Sequence, residues 1–414
     1  MSEYNFKTKQ ELYLKSQVQM RFIVTIFLLN FFIANAFAQT SFDDNIRPAD
    51  AVAANYVPLL HHKRVALIIN QTSVVGDSSL LDMLLNRGIN VLKIFVPEHG
   101  FRGNEDAGAH VDNSTDSATR LPIISLYGNH KKPKPEDLAD VDVVVYDLQD
   151  VGVRFYTYIS TLEYCMEACA ENNKQLMVLD RPNPNGFYVD GPVLESDQKS
   201  FVGMQAIPVV YGMTCGEYAG MLAGERLFNK AADVDLKVIK CTHYEHSKKY
   251  RLPVAPSPNL KTMTAIYSYP SLCLFEGTQV SVGRGTGRPF EQYGCPEFEG
   301  KYTYSFMPVS GPGARKPPYE NKTCYGETTG ENPEEVLKKL DYKMNLDWLR
   351  KAYDAYPDKD KFFTAFFTKL CGTKAIEEMI KKGTDEQTIR DSWKNKIRDF
   401  KKIRRKYLFY KDFE

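Results

Sequence analysis

The sequence of 414 residues lacks the motifs that mark several large classes of enzyme. No G-x-G-x-x-G pattern follows the first predicted strand, and no Walker A pattern occurs, so neither a dinucleotide nor a nucleotide site is indicated. A glycine-rich run at residues 283–288 lies late in the chain, and no helix start follows it. We interpret this run as a turn or cleft-lining loop, with phosphate binding as the alternative, and we expect no cofactor.

Metal-binding patterns are also missing. The chain has seven histidines, and none forms an H-x-H or H-E-x-x-H pattern. The eight cysteines contain no C-x-x-C pair, which argues against a zinc ribbon or a thioredoxin-like motif. Cys165 and Cys169 lie four positions apart on one face of a predicted helix, as small core residues do. An oxidising compartment would permit disulfides, but the sequence does not give their pairing.

Neither sign of charge is in excess. Lysine and arginine total 53, and aspartate and glutamate total 52. Because nucleic-acid binding depends on neutralising phosphates, this balance gives no support for a nucleic-acid partner. The basic residues at 394–406 alternate with apolar ones, as on the polar face of a helix.

The N-terminal segment has the layout of a secretory signal peptide. Met20 and Arg21 precede a short apolar core, and Ala36-Phe37-Ala38 forms an A-x-A cleavage site. Cleavage after Ala38 predicts a periplasmic or secreted protein without a stable membrane anchor. An uncleaved apolar anchor is the minority interpretation. The polar extension at residues 1–19 indicates either a true translation start at Met20 or an unusually long n-region.

From residue 45 onward, apolar strand patterns alternate with helical patterns. Strands are predicted at residues 65–69, 90–96, 141–146, 175–179 and 236–239, and helices at 78–87, 157–172 and 215–228. Such alternation is typical of a parallel sheet in an α/β protein. A proline-rich stretch at 252–260 indicates a domain border, which gives domains at 45–252 and 253–414. The chain is predicted to be mostly helical from Pro333 onward.

Four of the predicted strands end in polar clusters. These clusters lie at residues 70–72, 98–99, 147–150 and 180–181. If the strands are parallel, all four clusters meet at one edge of the sheet, where doubly wound folds bind ligands. Glu98 follows the apolar run Ile94-Phe95-Val96 directly, so it is expected beside a ligand.

Many stretches of the chain resemble the exo-β-N-acetylmuramidase (NamZ-type) family of bacterial glycoside hydrolases. The matching stretches, in chain order, lie at residues 97–103, 121–122, 125–128, 147–158, 179–184, 191–194, 212–214, 256–260, 275–278 and 283–286. The resemblance implies a Rossmann-like domain, a smaller α+β C-terminal domain and an active-site cleft between them. It also implies release of terminal N-acetylmuramic acid from the non-reducing ends of peptidoglycan fragments. Arg120 stands where this family usually has glycine.

Glycoside hydrolysis generally needs a carboxyl group that protonates the leaving oxygen. Glu98, partly shielded by apolar neighbours, suits this role because desolvation keeps a carboxyl group protonated, and the family's proposed catalytic glutamate falls on it. The second group stays open among Asp150, which we favour slightly, Asp147, Asp180 and Glu276. The 2-acetamido group of the substrate is a further alternative, so the mechanism is retaining, inverting or substrate-assisted.

N-acetylmuramic acid carries a lactyl carboxylate, which a guanidinium binds well. The arginines in the matching stretches are Arg102, Arg154, Arg181 and Arg284. Some of them are expected to bind substrate and others to brace loops by pairing with aspartates. The other predicted substrate-binding residues are His99, which alternatively orients its loop, Tyr156, which alternatively packs in the core, and Asp147, Gln149, Asp180, Asn183 and Glu276.

Two other functions remain as alternatives. The first is a non-catalytic periplasmic binding protein for cell-wall sugars, since such proteins also place a cleft between two α/β domains. The second, a metal-dependent hydrolase that uses His99, His110 and acidic neighbours, is weak because the histidine patterns are missing.

Overall fold

A β-sheet with parallel central strands organises the first half of the chain. The structure is a computed structural model that describes residues 42–98, 100–101 and 113–414. In chain order, the strands of the first half are β1 (Arg64–Ile69), β2 (Val74–Val75), β3 (Ser78–Ser79), β4 (Asn90–Val96), β5 (Ser114–Thr115), β6 (Pro122–Ser125), β7 (Val143–Asp147), β8 (Gln175–Leu179) and β9 (Asp235–Ile239). Seven of these described strands form one sheet in the order β5-β6-β4-β1-β7-β8-β9, and β2 pairs with β3 in a separate hairpin.

The order of the parallel strands is that of a Rossmann fold. Every pair from β6 across to β9 is parallel, and only β5 at the edge runs antiparallel among the described strands. Counted along the chain, the parallel strands therefore lie in the order 3-2-1-4-5-6. The predicted α/β class and parallel sheet are confirmed. β6 was not predicted, because its four residues are too few to show a strand pattern and begin with Pro122.

Helices cover the sheet, and their ends follow from local capping. The helices of the first half are α1 (Val57–Leu60), α2 (Leu80–Asn86), α3 (Pro135–Leu138), α4 (Tyr158–Glu171) and α5 (Cys215–Gly224). The helix predicted from residue 78 begins at Leu80, because the Ser79 side chain accepts the backbone N–H of Asp82 and acts as the N-cap. Thr214 and Glu217 form a capping box at the start of α5.

The second half contains a separate small sheet and a set of helices. The helices are α6 (Met263–Leu272), α7 (Pro333–Leu340), α8 (Asp347–Ala355), α9 (Ala365–Cys371), α10 (Ala375–Lys381) and α11 (Glu386–Arg404). β10 (Gln292–Cys295), β11 (Tyr304–Phe306) and β12 (Cys324–Thr328) form an antiparallel sheet in the order β10-β12-β11. The helical end of the chain was predicted, whereas this sheet was not. The predicted domain border at 252/253 stays a prediction.

The crevice at the centre of the large sheet is filled by the chain itself. β1 and β7 are neighbours at the point where the strand order reverses. Gln71, just beyond β1, donates its side-chain N–H to the carbonyls of Ala255 and Pro256 at 3.0 and 3.1 Å. Tyr158, after β7, donates its hydroxyl to the Pro256 carbonyl at 3.3 Å. The proline-rich segment therefore covers the place where Rossmann folds commonly bind a dinucleotide.

The described residues give three further facts about the chain. All eight cysteines lie in them, and each is a buried free thiol, as predicted for Cys165 and Cys169. Among the described helices, none combines the length and the apolar character required to cross a bilayer. No group of three or more metal-ligating side chains is placed to hold a metal ion within the same residues.

Candidate active site

Strand register places Glu98 beside Tyr127. Val96 of β4 pairs with Ser125 of β6 in the parallel ladder. Glu98 and Tyr127 each lie two residues beyond this pair, at the carboxyl ends of neighbouring strands. The Tyr127 hydroxyl donates to Glu98 Oε1 at 3.0 Å. Burial, the charge of Glu98 and this hydrogen bond raise the pKa of Tyr127, so its phenol stays protonated and keeps donating at neutral pH.

A second hydroxyl holds the other carboxylate oxygen of Glu98. Thr157 is the residue before α4, and its Oγ1 donates to Glu98 Oε2 at 2.9 Å. The Glu98 carboxyl group is half-buried and is oriented by donors from two different loops of the sheet edge. Such a group is preorganised to act on a bound ligand.

Glu98 lies on the wall of a large cavity. The cavity has a volume of about 970 Å³, which is at the upper end of the range for ligand sites. Its wall draws on both halves of the chain, as predicted for the cleft. The polar and charged side chains of the wall are Glu98, Tyr127, Lys131, Tyr156, Thr157, Tyr158, Ser257, Tyr269, Cys273, Glu276, Arg284, Arg315 and Lys316.

The second half contributes another carboxylate, Glu276, to the same cavity. Arg284 Nε donates to Glu276 Oε1 at 2.7 Å, and the Cys273 thiol lies 3.6 Å from Oε2. Burial alone would lower the pKa of Arg284, but the charge and hydrogen bond of Glu276 raise it above its ordinary value. The pair also borders a neighbouring cavity of about 290 Å³. Arg284, in the glycine-rich run at residues 283–288, therefore lines the cavity.

Aromatic rings connect these two parts of the wall. The ring of Tyr269 lies 6.1 Å from that of Tyr156 and 4.9 Å from that of Phe290. Phe290 in turn lies 4.9 Å from the guanidinium carbon of Arg284. The Tyr156 hydroxyl donates to the Pro256 carbonyl at 2.8 Å, which fixes its ring. Tyr156, Tyr269 and Phe290 are 6%, 7% and 1% exposed, so these rings pack against one another and make this part of the wall rigid.

Asp147 and Arg181 lie away from this cavity, in a buried ionic cluster with Asp50. Arg181 Nε donates to Asp147 at 2.6 Å, and its Nη2 donates to Asp50 at 2.5 Å. All three side chains are almost completely buried. Burial and the charge of Asp147 raise the pKa of Asp50 to about 7. The cluster joins the start of the described chain to the ends of β7 and β8.

Asp180 is also fully buried, and its carboxylate links the end of β8 to the start of α5 and to the C-terminal segment. It accepts hydrogen bonds from Thr214 Oγ1 at 2.7 Å, Gly216 N at 2.8 Å and the Tyr410 hydroxyl at 2.6 Å. Burial raises its pKa to about 6. Tyr410 belongs to the C-terminal segment, so Asp180 anchors that segment on the sheet.

Asp150 is buried and is not one of the residues that line the cavity. Its Oδ2 accepts the backbone N–H of Gly152 and the hydroxyl of Tyr211, each at 2.5 Å. Burial raises its pKa to about 6. Gln149 donates to the Pro182 carbonyl at 2.9 Å, and Asn183 donates to the Met213 carbonyl at 2.8 Å. In this structure the side chains of Asp150, Gln149 and Asn183 hold loops in place through hydrogen bonds to other protein groups.

Arg154 is completely buried and donates only to backbone carbonyls among the described residues. Its acceptors, at 2.8 to 2.9 Å, are the carbonyls of Pro192, Ile207, Leu370 and Cys371. Burial lowers its pKa to about 10. The side chain therefore ties the first half to the end of α9, whose Phe366 and Leu370 line the cavity.

The cavity thus brings together Glu98, Tyr156, Glu276 and Arg284 of the predicted site residues. His99, Arg102 and His110 lie outside the described residues. The sequence did not single out Tyr127 and Thr157, although both stand in stretches that resemble the family. The pairing of β4 with β6 is the signal that finds Tyr127. Lys131, Arg315 and Lys316 lie outside the matching stretches, and the sequence gives no signal for them.

Comparison with known proteins agrees with this architecture. Two family models of the exo-β-N-acetylmuramidase NamZ match this chain. The model of the N-terminal domain matches residues 65–264, and the model of the C-terminal domain matches residues 267–410. The chain is 39% identical over 381 residues to peptidoglycan β-N-acetylmuramidase NamZ of Bacillus subtilis, covering 87% of this chain and 90% of that protein.

Two crystal structures of DUF1343 family proteins from Bacteroides fragilis share the fold. The first has a TM-score of 0.82 and 46% sequence identity, and the alignment covers 89% of this chain and 99% of the Bacteroides fragilis chain. The second has a TM-score of 0.74 and 30% identity, with coverages of 88% and 99%. The resemblance predicted from the motifs is confirmed. The chain belongs to the exo-β-N-acetylmuramidase NamZ family of glycoside hydrolases.

Proposed function

We propose that the protein releases terminal N-acetylmuramic acid from the non-reducing ends of peptidoglycan fragments, with Glu98 as the general acid. The observation that carries this proposal is the position of Glu98, at a strand end on the cavity wall and oriented by Tyr127 and Thr157. A carboxyl group held in this way can protonate the leaving oxygen of a glycoside bound in the cavity. The named activity of the Bacillus subtilis relative supports the same substrate class.

We propose Glu276 as the second acidic group of the reaction, ahead of Asp150. Glu276 lines the same cavity as Glu98, and Arg284 fixes its orientation. Asp150 Oδ2 accepts two hydrogen bonds from the protein, and Asp150 is not among the residues that line the cavity. Glu276 then either activates water or attacks the sugar, or it orients the 2-acetamido group for internal attack.

The test is hydrolysis of two isomeric disaccharides by the mature protein. MurNAc-GlcNAc carries the muramic acid at its non-reducing end and should be cleaved, whereas GlcNAc-MurNAc should not. Glu98→Gln should lower turnover by roughly 10³-fold while binding of MurNAc-GlcNAc is retained. Glu136→Gln, at an exposed carboxylate on α3, is the matched control. Binding of MurNAc-GlcNAc without cleavage by the unsubstituted protein would favour the alternative of a binding protein.

We also propose that the protein is exported and cleaved after Ala38, as its N-terminal pattern indicates. The mature chain then begins at Gln39 in the periplasm or outside the cell. N-terminal sequencing of the protein from fractionated cells measures this directly. Recovery of the complete chain from the cytosolic fraction would contradict the proposal.

A further inference from the structure

Residues 313–318 form a strap along the cavity wall, and both of its ends are fixed. At one end, Asn259 Nδ2 donates to the Gly313 carbonyl at 2.8 Å, and Asn259 is itself buried. At the other end, Pro317 lies so close to Gly285 that a Cβ on Gly285 would come within 2.7 Å of its ring. The strap is therefore held against the loop that carries Arg284.

This fixed strap places two cations on the cavity. Arg315 and Lys316 are exposed to solvent, and both line the cavity wall. Lys131, from the first half of the chain, lines it as well, with its Nζ 4.8 Å from the ring centre of Phe201. We call Lys131, Arg315 and Lys316 the basic rim. Within the described residues, no carboxylate pairs with Lys131 or Lys316.

The charges of the wall do not cancel. Its carboxylates are Glu98 and Glu276, and its cations are Arg284 and the three residues of the basic rim. Arg284 is paired with Glu276. Lys131 and Lys316, which have no carboxylate partner among the described residues, outnumber the other carboxylate of the wall, Glu98. Lys131 and Lys316 therefore leave a positive potential in the cavity, which attracts anionic groups of a ligand.

The arginines first considered for the lactyl carboxylate do not supply this charge. Arg154 and Arg181 are buried and engaged with protein groups, and Arg284 is paired with Glu276. Arg102 lies outside the described residues. In the described part of the wall, the basic rim is the remaining source of positive charge for an acidic substrate.

We propose that the basic rim binds a carboxylate that the muramyl residue carries, and so selects acidic saccharides over neutral ones. This inference rests on the proposed function and adds the residues that determine specificity. The carboxylate has two chemical sources. It belongs either to the lactyl group itself or, when that group is amide-linked, to the peptide stem.

The test measures binding by calorimetry in the Glu98→Gln background, so that no ligand is consumed. Three MurNAc-GlcNAc ligands are compared: the free lactyl acid, its neutral methylamide, and a form that carries an L-Ala-D-Glu stem. Lys131→Met and Lys316→Met should each weaken binding of an anionic ligand roughly 5-fold, and the double variant roughly 20-fold. Binding of the methylamide should not change. Added salt should weaken binding of the anionic ligands less in the double variant.

Lys322→Met is the matched control, because Lys322 is exposed, close to the strap and absent from the cavity wall. Lys131→Arg and Lys316→Arg should restore affinity, since they keep the charge. Thermal unfolding checks that each variant is folded.

The ligands distinguish the two sources of the carboxylate. If the rim binds the lactyl group, the free acid binds more tightly than both amide-linked forms. If it binds the stem, the dipeptide form regains the affinity that the methylamide lacks. If all three ligands bind with equal affinity, and the double variant keeps that affinity, the basic rim does not bind a carboxylate and the proposed function is unaffected. Failure of every ligand to bind would overturn the proposed function together with the rim.

Discussion

Replacement of Arg154 tests how the cavity is held together. This buried guanidinium joins the backbone near Pro192 and Ile207 to the end of α9, through four hydrogen bonds. Arg154→Met keeps much of the apolar stem and removes every one of these donors.

The magnitude follows from two opposing contributions. Hydrogen bonds from a charged donor contribute about 2 kcal/mol each, so the four together give about 8 kcal/mol. Burial opposes the charge and lowers the pKa of Arg154 to about 10. That decrease corresponds to a penalty of about 3 kcal/mol for the charged form. We therefore expect Arg154→Met to lower the free energy of unfolding by about 5 kcal/mol.

Urea unfolding followed by tryptophan fluorescence measures this change, since both tryptophans, Trp348 and Trp393, are buried. Arg398→Met, which removes an exposed guanidinium on α11, should stay within about 0.5 kcal/mol of the unsubstituted protein. The structural account of Arg154 fails if Arg154→Met keeps the urea midpoint but binds muramyl saccharides more weakly. That result would assign Arg154 to substrate binding, as the sequence motif suggested.

Three further predictions concern other carboxylates and one turn. Glu276→Gln should lower kcat roughly 100-fold, whereas Asp150→Asn should change it only a few-fold; the reverse order in steady-state kinetics would restore Asp150 as the second catalytic group. The pKa of Asp50 is raised to about 7 by burial and by Asp147. The folded protein therefore holds a proton that the unfolded chain releases near pH 4, and this contribution to stability is lost as pH rises towards and through 7. Asp50→Asn should remove this part of the pH dependence, as urea unfolding at pH 5 and pH 8 can measure. A decrease in unfolding free energy between the two pH values that is the same in the variant and in the unsubstituted protein would contradict the prediction. Arg120 has a φ of 64°, so Arg120→Gly should raise stability by about 1 kcal/mol and Arg120→Ala should not, as thermal unfolding can check.

The parallel sheet was predictable because its central strands are buried on both faces. β1, β4, β7 and β8 appear in the sequence as short apolar, β-branched runs that polar loops interrupt. The antiparallel sheet of the second half shows no such pattern. β10 begins with glutamine and contains glycine, yet all four of its residues are buried by elements that are distant in sequence.

The candidate site was predictable only in part, for a physical reason. Polar clusters at strand ends do converge, but a sequence does not show whether such a side chain faces a cavity or the chain's own covering segments. Glu98 faces the cavity. Asp147 is instead buried against Arg181, which also pairs with Asp50, and Asp180 is covered by the C-terminal segment through Tyr410. Lys131 and Lys316 escape sequence analysis because only folding brings the strap and the first half of the chain to one wall.

Arg120 is a second case in which the sequence alone does not show the role of a residue. The family resemblance marked it as a departure from glycine, and the structure shows the left-handed backbone that glycine tolerates best. The Arg120 backbone N–H closes a turn onto the Asp116 carbonyl at 2.9 Å. The departure therefore concerns the stability of a turn, and Arg120 is not among the residues that line the cavity.

The most direct test of the central claim, that Glu98 donates the proton to the leaving group, compares two substrates of Glu98→Gln. One is MurNAc-GlcNAc, whose sugar leaving group needs protonation, and the other is the dinitrophenyl glycoside of N-acetylmuramic acid, whose leaving group does not. We predict that the substitution lowers kcat/KM roughly 10³-fold for the disaccharide and less than about 10-fold for the aryl glycoside. Equal losses on both substrates would contradict the assignment of Glu98 as the general acid.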